Sequence, residues 1–228
     1  MKTSLKTLLI AALAHAGLSV GANAVTVFSQ DFSTGSGSAL LGTTSTVGSA
    51  TWSGVNLFNT AGYTTSNTGA IALAFTPESG KIYDFTATIN IDGVQETWIA
   101  AGFLSSISDA YGFTGSPNSS AVIRNAFDWT TFPGGSTGVN STDLRIRLDT
   151  TGAQWKTSYF QGGVQMGSDY TYTSGNPTIN YVGFANAEAT SGSVSAFQLT
   201  AIPEPSTYAM VIGGLLNLSL IRRRRVRA

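Results

Sequence analysis

Carboxylates and aromatic rings are the side chains with which this chain could do chemistry. The 228 residues include no cysteine and a single histidine, His15, in an apolar stretch near the N-terminus. A Ser-His-Asp or Cys-His nucleophile therefore has no base elsewhere in the chain, and zinc sites of imidazole or thiolate are excluded. Only oxygen ligands remain for a metal, and the sequence has neither an Asp-x-Asp run nor EF-hand spacing. We therefore expect no metal site and no cofactor, with calcium as the alternative.

Glycoside hydrolysis is a reaction that carboxylates alone can catalyse, because it needs two of them placed across a sugar. The glutamates of this chain are scattered. Glu78 lies in the turn-like sequence Pro-Glu-Ser-Gly, and Glu96 and Glu188 have no acidic neighbour in the sequence. Such isolated carboxylates are typical of a solvated surface. We predict no catalytic residue and a protein that is not an enzyme, with a glycan hydrolase or lyase as an alternative.

Aromatic residues are the better functional candidates, because their flat faces can stack on a sugar. Trp129 and Tyr111 lie in long polar segments, where binding residues are often found, and we predict them as candidate stacking residues. Packing within the loop or the core is the alternative for both. Trp98 and Trp155 lie in segments that alternate like core strands, and we expect them in the core. The other aromatic candidates are Trp52, Tyr170 and Tyr172.

The segments that must position these residues alternate between apolar and polar side chains, which predicts β-strands. In residues 81–89, Asp84, Thr86 and Thr88 share one face. The other face is apolar and consists of Tyr83, Phe85, Ala87 and Ile89. Gly, Ser, Asn, Asp and Pro separate this segment from the next one, as they do throughout the chain. The apolar face should turn toward a core and the polar face toward solvent.

A second group of segments predicts a meander. In residues 143–149 Arg145 and Arg147 alternate with apolar side chains and should point outward. Residues 149–152 then form a turn into a strand at 153–160, and Gly162-Gly163 predicts a tight hairpin turn.

Further strands are predicted near residues 25–29, 51–57, 71–75, 97–104, 122–129, 179–185 and 194–200. About ten strands without an amphipathic helix predict an all-β fold, a two-sheet antiparallel jelly-roll sandwich over residues 25–201. No linker divides this region, so we expect one domain, and its core must hold it without disulfides.

The first 24 residues have the three parts of a secretory signal peptide. Lys2 and Lys6 form the basic region, residues 8–14 the apolar core, and Ala22-Asn23-Ala24 the A-x-A cleavage site. We predict a signal helix that signal peptidase removes before Val25, and export by the secretion machinery.

Residues 202–228 form a second tripartite segment. Pro203-Glu204-Pro205 should stay extended and open to a processing enzyme, because proline cannot continue a helix. An uncharged apolar run at 208–221 predicts a short transmembrane helix. A basic tail at 222–228 follows it, which is a stop-transfer pattern and places the tail on the cytoplasmic side. The membrane-stop residues are Arg222, Arg223, Arg224 and Arg225.

This C-terminal segment resembles the PEP-CTERM sorting signal of Gram-negative bacteria. The resemblance implies processing by an exosortase, a membrane transpeptidase-like enzyme, after export across the inner membrane. It also implies transient anchoring in that membrane, then a location at the cell surface or in an exopolysaccharide or biofilm matrix. An ordinary tail anchor is the alternative. The resemblance covers the tail alone and implies a destination rather than a biochemical activity.

The later strands resemble those of concanavalin A-like lectin and laminin-G-type sandwiches. The similar segments are 144–151, Trp155, Gly162-Gly163, 178–184 and 192–200. Those families include sugar-binding modules, adhesion domains and glycosidases. The strand motif Glu-x-Asp-x-x-Glu of the laminarinase-like branch is absent here.

Charge narrows the choice of partner. Residues 25–202 hold five basic and eleven acidic side chains, a net charge of minus six, which argues against nucleic acid and anionic lipid as partners. We expect a non-enzymatic protein of the cell surface or matrix that binds extracellular polysaccharide through a lectin-like face. A structural matrix protein without a discrete site is the alternative.

Overall fold

The described part of the chain folds into β-strands. The computed structural model describes residues 23–65, 68–91, 98–108, 120–124, 141–187 and 192–203. These residues contain twelve strands and no helix. The strands are β1 Val25–Asp31, β2 Ser53–Gly54, β3 Gly69–Ala74, β4 Lys81–Ile91, β5 Trp98–Leu104, β6 Ser120–Arg124, β7 Ser141–Asp149, β8 Lys156–Gln161, β9 Val164–Gln165, β10 Tyr170–Thr171, β11 Tyr181–Ala187 and β12 Gly192–Pro203.

The strands form two antiparallel sheets, which confirms the predicted all-β jelly-roll sandwich. The seven-stranded sheet has the order β1-β12-β4-β7-β8-β10, with β9 paired to β8. The five-stranded sheet has the order β2-β3-β11-β5-β6. The predicted signal helix and the apolar run at 208–221 lie outside the described residues. Within the described ranges no helix has the length and apolarity needed to cross a membrane.

Alternation along β4 and β7 places one face of each strand in the core, as predicted. The inward apolar residues of the two strands are at most 4% exposed: Tyr83, Phe85, Ala87, Ile89, Leu144, Ile146 and Leu148. The two strands pair over nine residues, from Ile82 opposite Asp149 to Asn90 opposite Ser141. The predicted meander is also confirmed, because β7 pairs with β8 and β8 with β9 across Gly162-Gly163. Both glycines have positive φ, 54° and 83°, which a tight hairpin turn requires.

Aromatic rings fill the space between the two sheets. Phe184 of β11 is fully buried, and its ring centroid lies 5.8 Å from that of Phe85 and 5.7 Å from that of Phe197. Two rings from the connecting segments complete the cluster, with Trp52 at 6.1 Å and Phe58 at 5.7 Å from Phe184. Rings at such spacings gain attraction beyond the burial of their surface. This cluster therefore joins the sheets directly.

The segment predicted as a strand at 51–57 is the clearest departure. Only Ser53–Gly54 pairs with β3, and the chain then leaves the sheet. At Gly54 φ is +114°, and a Cβ would meet the carbonyl oxygen of Ala70 at 2.2 Å. Val55 donates from its backbone to that carbonyl at 2.8 Å, and Leu57 donates to Val55 at 2.9 Å, which curls the backbone. Close approach to β3 thus ends the strand at glycine.

β3 also departs from simple alternation. Five consecutive residues, 69–73, are buried, because both faces of the five-stranded sheet are covered there. The residues buried on its outer face are small or apolar: Ala70, Ala72, Ala100, Leu104 and Ala185.

A buried hydrogen bond fixes the β8 end of the seven-stranded sheet. The hydroxyls of Thr157 and Tyr172 lie 2.9 Å apart, and both residues are buried. Burial raises the pKa of Tyr172 to about 12, against the ordinary value of 10.0. The neutral phenol is therefore strongly preferred in the folded state.

We expect Tyr172→Phe to lower the free energy of unfolding at about pH 7 by about 1 kcal/mol, because the Thr157 hydroxyl loses its partner. The stabilisation from wild-type Tyr172 is fully present below pH 10 and is lost as pH rises from 10 to about 12. The difference between the two proteins should therefore shrink at alkaline pH. Urea denaturation at neutral and alkaline pH measures it, with exposed Tyr63→Phe as the control. A difference that is constant across pH would contradict the assignment.

Candidate functional site

A groove crosses the outer face of the seven-stranded sheet. Its volume is ≈ 360 Å³, and it is open to solvent. The strands β12, β4 and β7, which are adjacent in the sheet, and the β8–β9 turn supply its lining. We call this site the outer groove. Its residues are Thr86, Ala87, Thr88, Asp143, Leu144, Arg145, Gly163, Ala196, Phe197 and Gln198.

Strand alternation determines which side chains face the outer groove. Phe85, Ala87 and Ile89 point to the core, so Thr86 and Thr88 must point outward from β4. Thr88 lies opposite Asp143 in the ladder, and its hydroxyl donates to the Asp143 carboxylate at 2.6 Å.

The β8–β9 turn closes one side of the groove. The backbone N–H of Gly162 donates to the carbonyl of Asp143 at 2.9 Å, which holds the turn against the start of β7. On the other side lies Gln198 of β12, whose backbone carbonyl accepts a hydrogen bond from the Thr86 hydroxyl at 3.4 Å. The groove therefore has walls from parts of the chain that are far apart in sequence.

Arg145 is the cation of the outer groove. It lies directly opposite Phe160 in the β7–β8 ladder, and its guanidinium carbon is 3.7 Å from the centroid of that ring. This distance is well within the range of a cation–π contact. The contact with Phe160 holds the guanidinium group at the groove.

Arg147, two residues further along β7, is paired with a carboxylate. Its Nε donates to Oδ1 of Asp84 at 2.8 Å and its Nη2 donates to Oδ2 at 2.7 Å, a bidentate ion pair. The pair is largely covered, because the Asp84 side chain is 12% exposed and that of Arg147 33%. The hydrogen bonds to Asp84 raise the pKa of Arg147, and the charges of Asp149 and Asp169 add to this effect. Arg147 is thus a structural cation beside the groove.

The groove offers hydrogen-bond donors and acceptors of every common kind. Hydroxyls come from Thr86 and Thr88, a carboxylate from Asp143, an amide from Gln198 and a guanidinium from Arg145. A ligand rich in hydroxyl groups can both donate to and accept from this set. Across the described ranges, no three acidic, histidine or cysteine side chains gather as metal ligands would. Binding of calcium by oxygen ligands stays the alternative to the prediction of no metal site.

The predicted site residues fall largely elsewhere. Trp129 and Tyr111 lie outside the described residues, as do Ala22, Glu204, Pro205 and the arginine block, so these assignments remain predictions. Ala24 is exposed just before β1, and Pro203 is the last residue of β12.

Among the remaining aromatic candidates, Trp52 and Tyr172 are buried core residues, at 1% and 6% exposure. Neither can offer a face to a ligand. Trp155 and Tyr170 are half-buried and pack against the core, so the core position predicted for Trp155 is met in part. The side chain of Trp98 is not among those described.

Sequence reasoning placed Thr86, Thr88 and Arg145 correctly on an outer face but did not identify the groove. The missing information is that β12 lies next to β4, although more than a hundred residues separate them. Phe160 was not considered as a stacking residue either. Its position opposite an outward arginine in a predicted hairpin could have indicated the contact.

The chain is similar to several solved structures in fold. No protein-family model matches the chain, and no curated protein matches it. Among solved structures, an endo-1,3-beta-glucanase from Streptomyces sioyaensis is similar with a TM-score of 0.44 and 11% identity, over 79% of this chain and 97% of the glucanase. A carbohydrate-binding module from Bacillus subtilis has a TM-score of 0.36 and 12% identity, over 79% of this chain and 96% of the module.

A third similar structure is a mutant of Trypanosoma rangeli sialidase displaying trans-sialidase activity. Its TM-score is 0.32 and its identity 14%, over 65% of this chain and 32% of the sialidase. At such identities the likeness to all three structures concerns the fold alone.

The prediction that the protein is not an enzyme is corrected by these neighbours. Two of the three similar structures are enzymes, a glucanase and a sialidase. The prediction relied on the isolated positions of Glu78, Glu96 and Glu188 and on the missing Glu-x-Asp-x-x-Glu motif. That inference was wrong, because a carboxylate pair can be assembled from different strands and leaves no linear motif.

We expect Asp84→Ala to lower the free energy of unfolding by about 2 kcal/mol, because it leaves the partly covered Arg147 guanidinium without its two charge-assisted hydrogen bonds. Asp84→Asn keeps one acceptor and should cost less. Chemical denaturation measures both. The control is Glu78→Ala, which breaks the exposed 2.8 Å pair with Lys81 and should change stability little. Equal effects of Asp84→Ala and Glu78→Ala would refute a structural role for the Arg147 pair.

Proposed function

We propose that this protein is an exported carbohydrate-binding protein that holds a glycan in the outer groove. The observation that carries the proposal is the convergence of five polar side chains from three adjacent strands on an open groove of ≈ 360 Å³. Small-molecule sites commonly have volumes of about 300 to 1,000 Å³ and a few convergent polar groups. A groove open to solvent suits a segment of polysaccharide that extends beyond it.

The composition of the groove supports a sugar as ligand. Each sugar hydroxyl is both a donor and an acceptor, and the groove pairs acceptors such as the Asp143 carboxylate with donors such as the Gln198 amide. Asp143 and Gln198 are both exposed and already oriented, by Thr88 and by Thr26. Oriented polar groups lose less conformational entropy when a ligand binds.

We expect Asp143→Asn to weaken glycan binding roughly fivefold, because the amide keeps one acceptor oxygen but loses the charge assistance, which contributes about 1 kcal/mol. The measurement is a screen of the purified full chain against polysaccharides, followed by calorimetric titration with the best ligand. Glu78→Gln is the matched control, since it also removes one carboxylate charge but lies in a turn away from the groove. Its affinity should equal that of the wild type.

Two outcomes would argue against the groove. Equal loss of affinity in Asp143→Asn and Glu78→Gln would indicate an effect of net charge rather than of contact. A folded wild-type protein that binds no polysaccharide would remove glycan binding altogether and leave a structural matrix role.

The proposal includes delivery to the cell surface or extracellular matrix. It is supported by the N-terminal signal-peptide pattern and by Pro203-Glu204-Pro205, residues 208–221 and the arginine block, whose order resembles a PEP-CTERM signal. Signal peptidase and an exosortase would act in turn, and the inner membrane would hold the chain in between. A glycan-binding domain released into an exopolysaccharide matrix would be retained by its ligand.

We expect replacement of Pro203-Glu204-Pro205 by three alanines to keep the chain in the membrane fraction of an exosortase-containing host, because the processing enzyme no longer recognises it. The wild-type chain should reach the surface or medium with a lower mass. Cell fractionation and mass spectrometry measure both properties. Ser206→Ala is the control and should behave as the wild type. The same mass and distribution for all three chains would show that this segment is not a processing signal.

A further inference from the structure

The inference concerns the charge of the ligand, and it rests on the proposed function. We propose that the outer groove binds an acidic polysaccharide, and that the Arg145 guanidinium receives a carboxylate of one of its sugar units. Arg145 is the cation that lines the groove, and its state differs from that of the neighbouring Arg147.

Arg145 has no acidic partner among the described residues. The ion pairs in those ranges are Lys81 with Glu78 and Arg147 with Asp84. Asp143 lies two positions before Arg145 on the same face of β7, but the two do not approach to ion-pair distance and the Asp143 carboxylate accepts from the Thr88 hydroxyl. The charge of Arg145 is therefore not neutralised by a contact within the described fold.

One atom of Arg145 shows this most directly. Its Nε is buried, and within the described structure it has no hydrogen-bond partner. A buried donor without an acceptor destabilises the fold, and the cost is larger for a charged group. By contrast, the Nε of Arg147 donates to Asp84 at 2.8 Å. Arg147 thus has an anionic partner, Asp84, whereas Arg145 on the same strand has none among the described residues.

Phe160 prepares Arg145 for an anion. The guanidinium carbon lies 3.7 Å from the ring centroid, so Phe160 covers one side of the group and holds it at the groove. A planar guanidinium held in this way can make two parallel hydrogen bonds to a carboxylate. The bidentate Arg147–Asp84 pair shows that this outer face accommodates that geometry.

Long-range electrostatic attraction cannot produce a preference for an acidic polysaccharide. The region 25–202 carries a net charge of minus six, so the domain as a whole repels a polyanion. Selectivity for an acidic glycan would have to come from a local contact. Asp143, Thr86 and Gln198 would then hold the neutral hydroxyls of the same sugar units, which fits a uronic acid better than a sulfated polymer with few free hydroxyls.

The test compares two forms of one polymer. Oligogalacturonate and the same oligomer with its carboxyl groups reduced to hydroxymethyl groups are titrated into the full chain. The wild type should bind the acidic form at least tenfold more tightly. Arg145→Gln should lose this preference and keep its affinity for the reduced form, and Arg145→Lys should retain part of it, since ammonium lacks the planar fork.

Lys156→Gln is the charge-matched control. Lys156 is an exposed cation of β8 that does not line the groove, so its removal should leave the preference unchanged. Thermal unfolding of each variant separates loss of binding from loss of fold, and the lysine variant keeps the charge if the glutamine variant is unstable.

The failures are distinguishable. Equal wild-type affinity for the two forms, or a preference that survives Arg145→Gln, would overturn the role of Arg145 and leave glycan binding in place. Loss of preference in Lys156→Gln as well would show an effect of net charge and would also overturn it. Binding to neither form would overturn this inference, and absence of binding to any polysaccharide would overturn the proposed function as well.

Discussion

The contact between the two sheets through Phe184 is the interaction on which the rest of the structure depends. Without disulfides, the sandwich is held by buried apolar surface, and the rings of Phe85, Phe197 and Trp52 meet Phe184 at its centre. Phe85 and Phe197 belong to β4 and β12, the same strands that form two walls of the outer groove. Because alternate residues of a strand point to opposite faces, locking these rings inward also fixes Thr86 and Gln198 outward. The core therefore determines the geometry of the site.

Much of the fold could be predicted from the sequence where one face of a strand is buried and the other is exposed to solvent. β4 and β7 are of this kind, and their inward and outward residues were predicted correctly. The prediction was weaker at β3, because burial of both faces removes the alternation on which it relied. It was wrong in extent at 51–57, where Gly54 approaches the backbone of β3 too closely for the strand to continue. That contact is tertiary, and no local pattern contains it.

The candidate site was less predictable than the fold. The sequence pattern placed Arg145 on an outward face. Its role, however, depends on contact partners that the pattern does not reveal. Arg145 and Arg147 are indistinguishable in the alternating pattern, yet one stacks on Phe160 and the other pairs with Asp84. Trp52 and Tyr172 were candidates for a binding surface because of their residue type. Tertiary packing places both in the core instead. Likewise, a missing linear motif could not exclude catalysis, since β-sheets assemble sites from several strands.

The course of β12 has a mechanical consequence. The strand contributes Ala196 and Gln198 to the outer groove, is flanked by β1 and β4, and ends at Pro203. If the groove binds a polymer as proposed and the chain is tethered beyond Pro203, a pull from that polymer would run along β12 itself rather than across it. The hydrogen bonds on both sides of the strand are then loaded in shear and share the force, instead of opening one after another. An adhesive protein built in this way would hold under flow at a load that would peel an edge strand from its sheet.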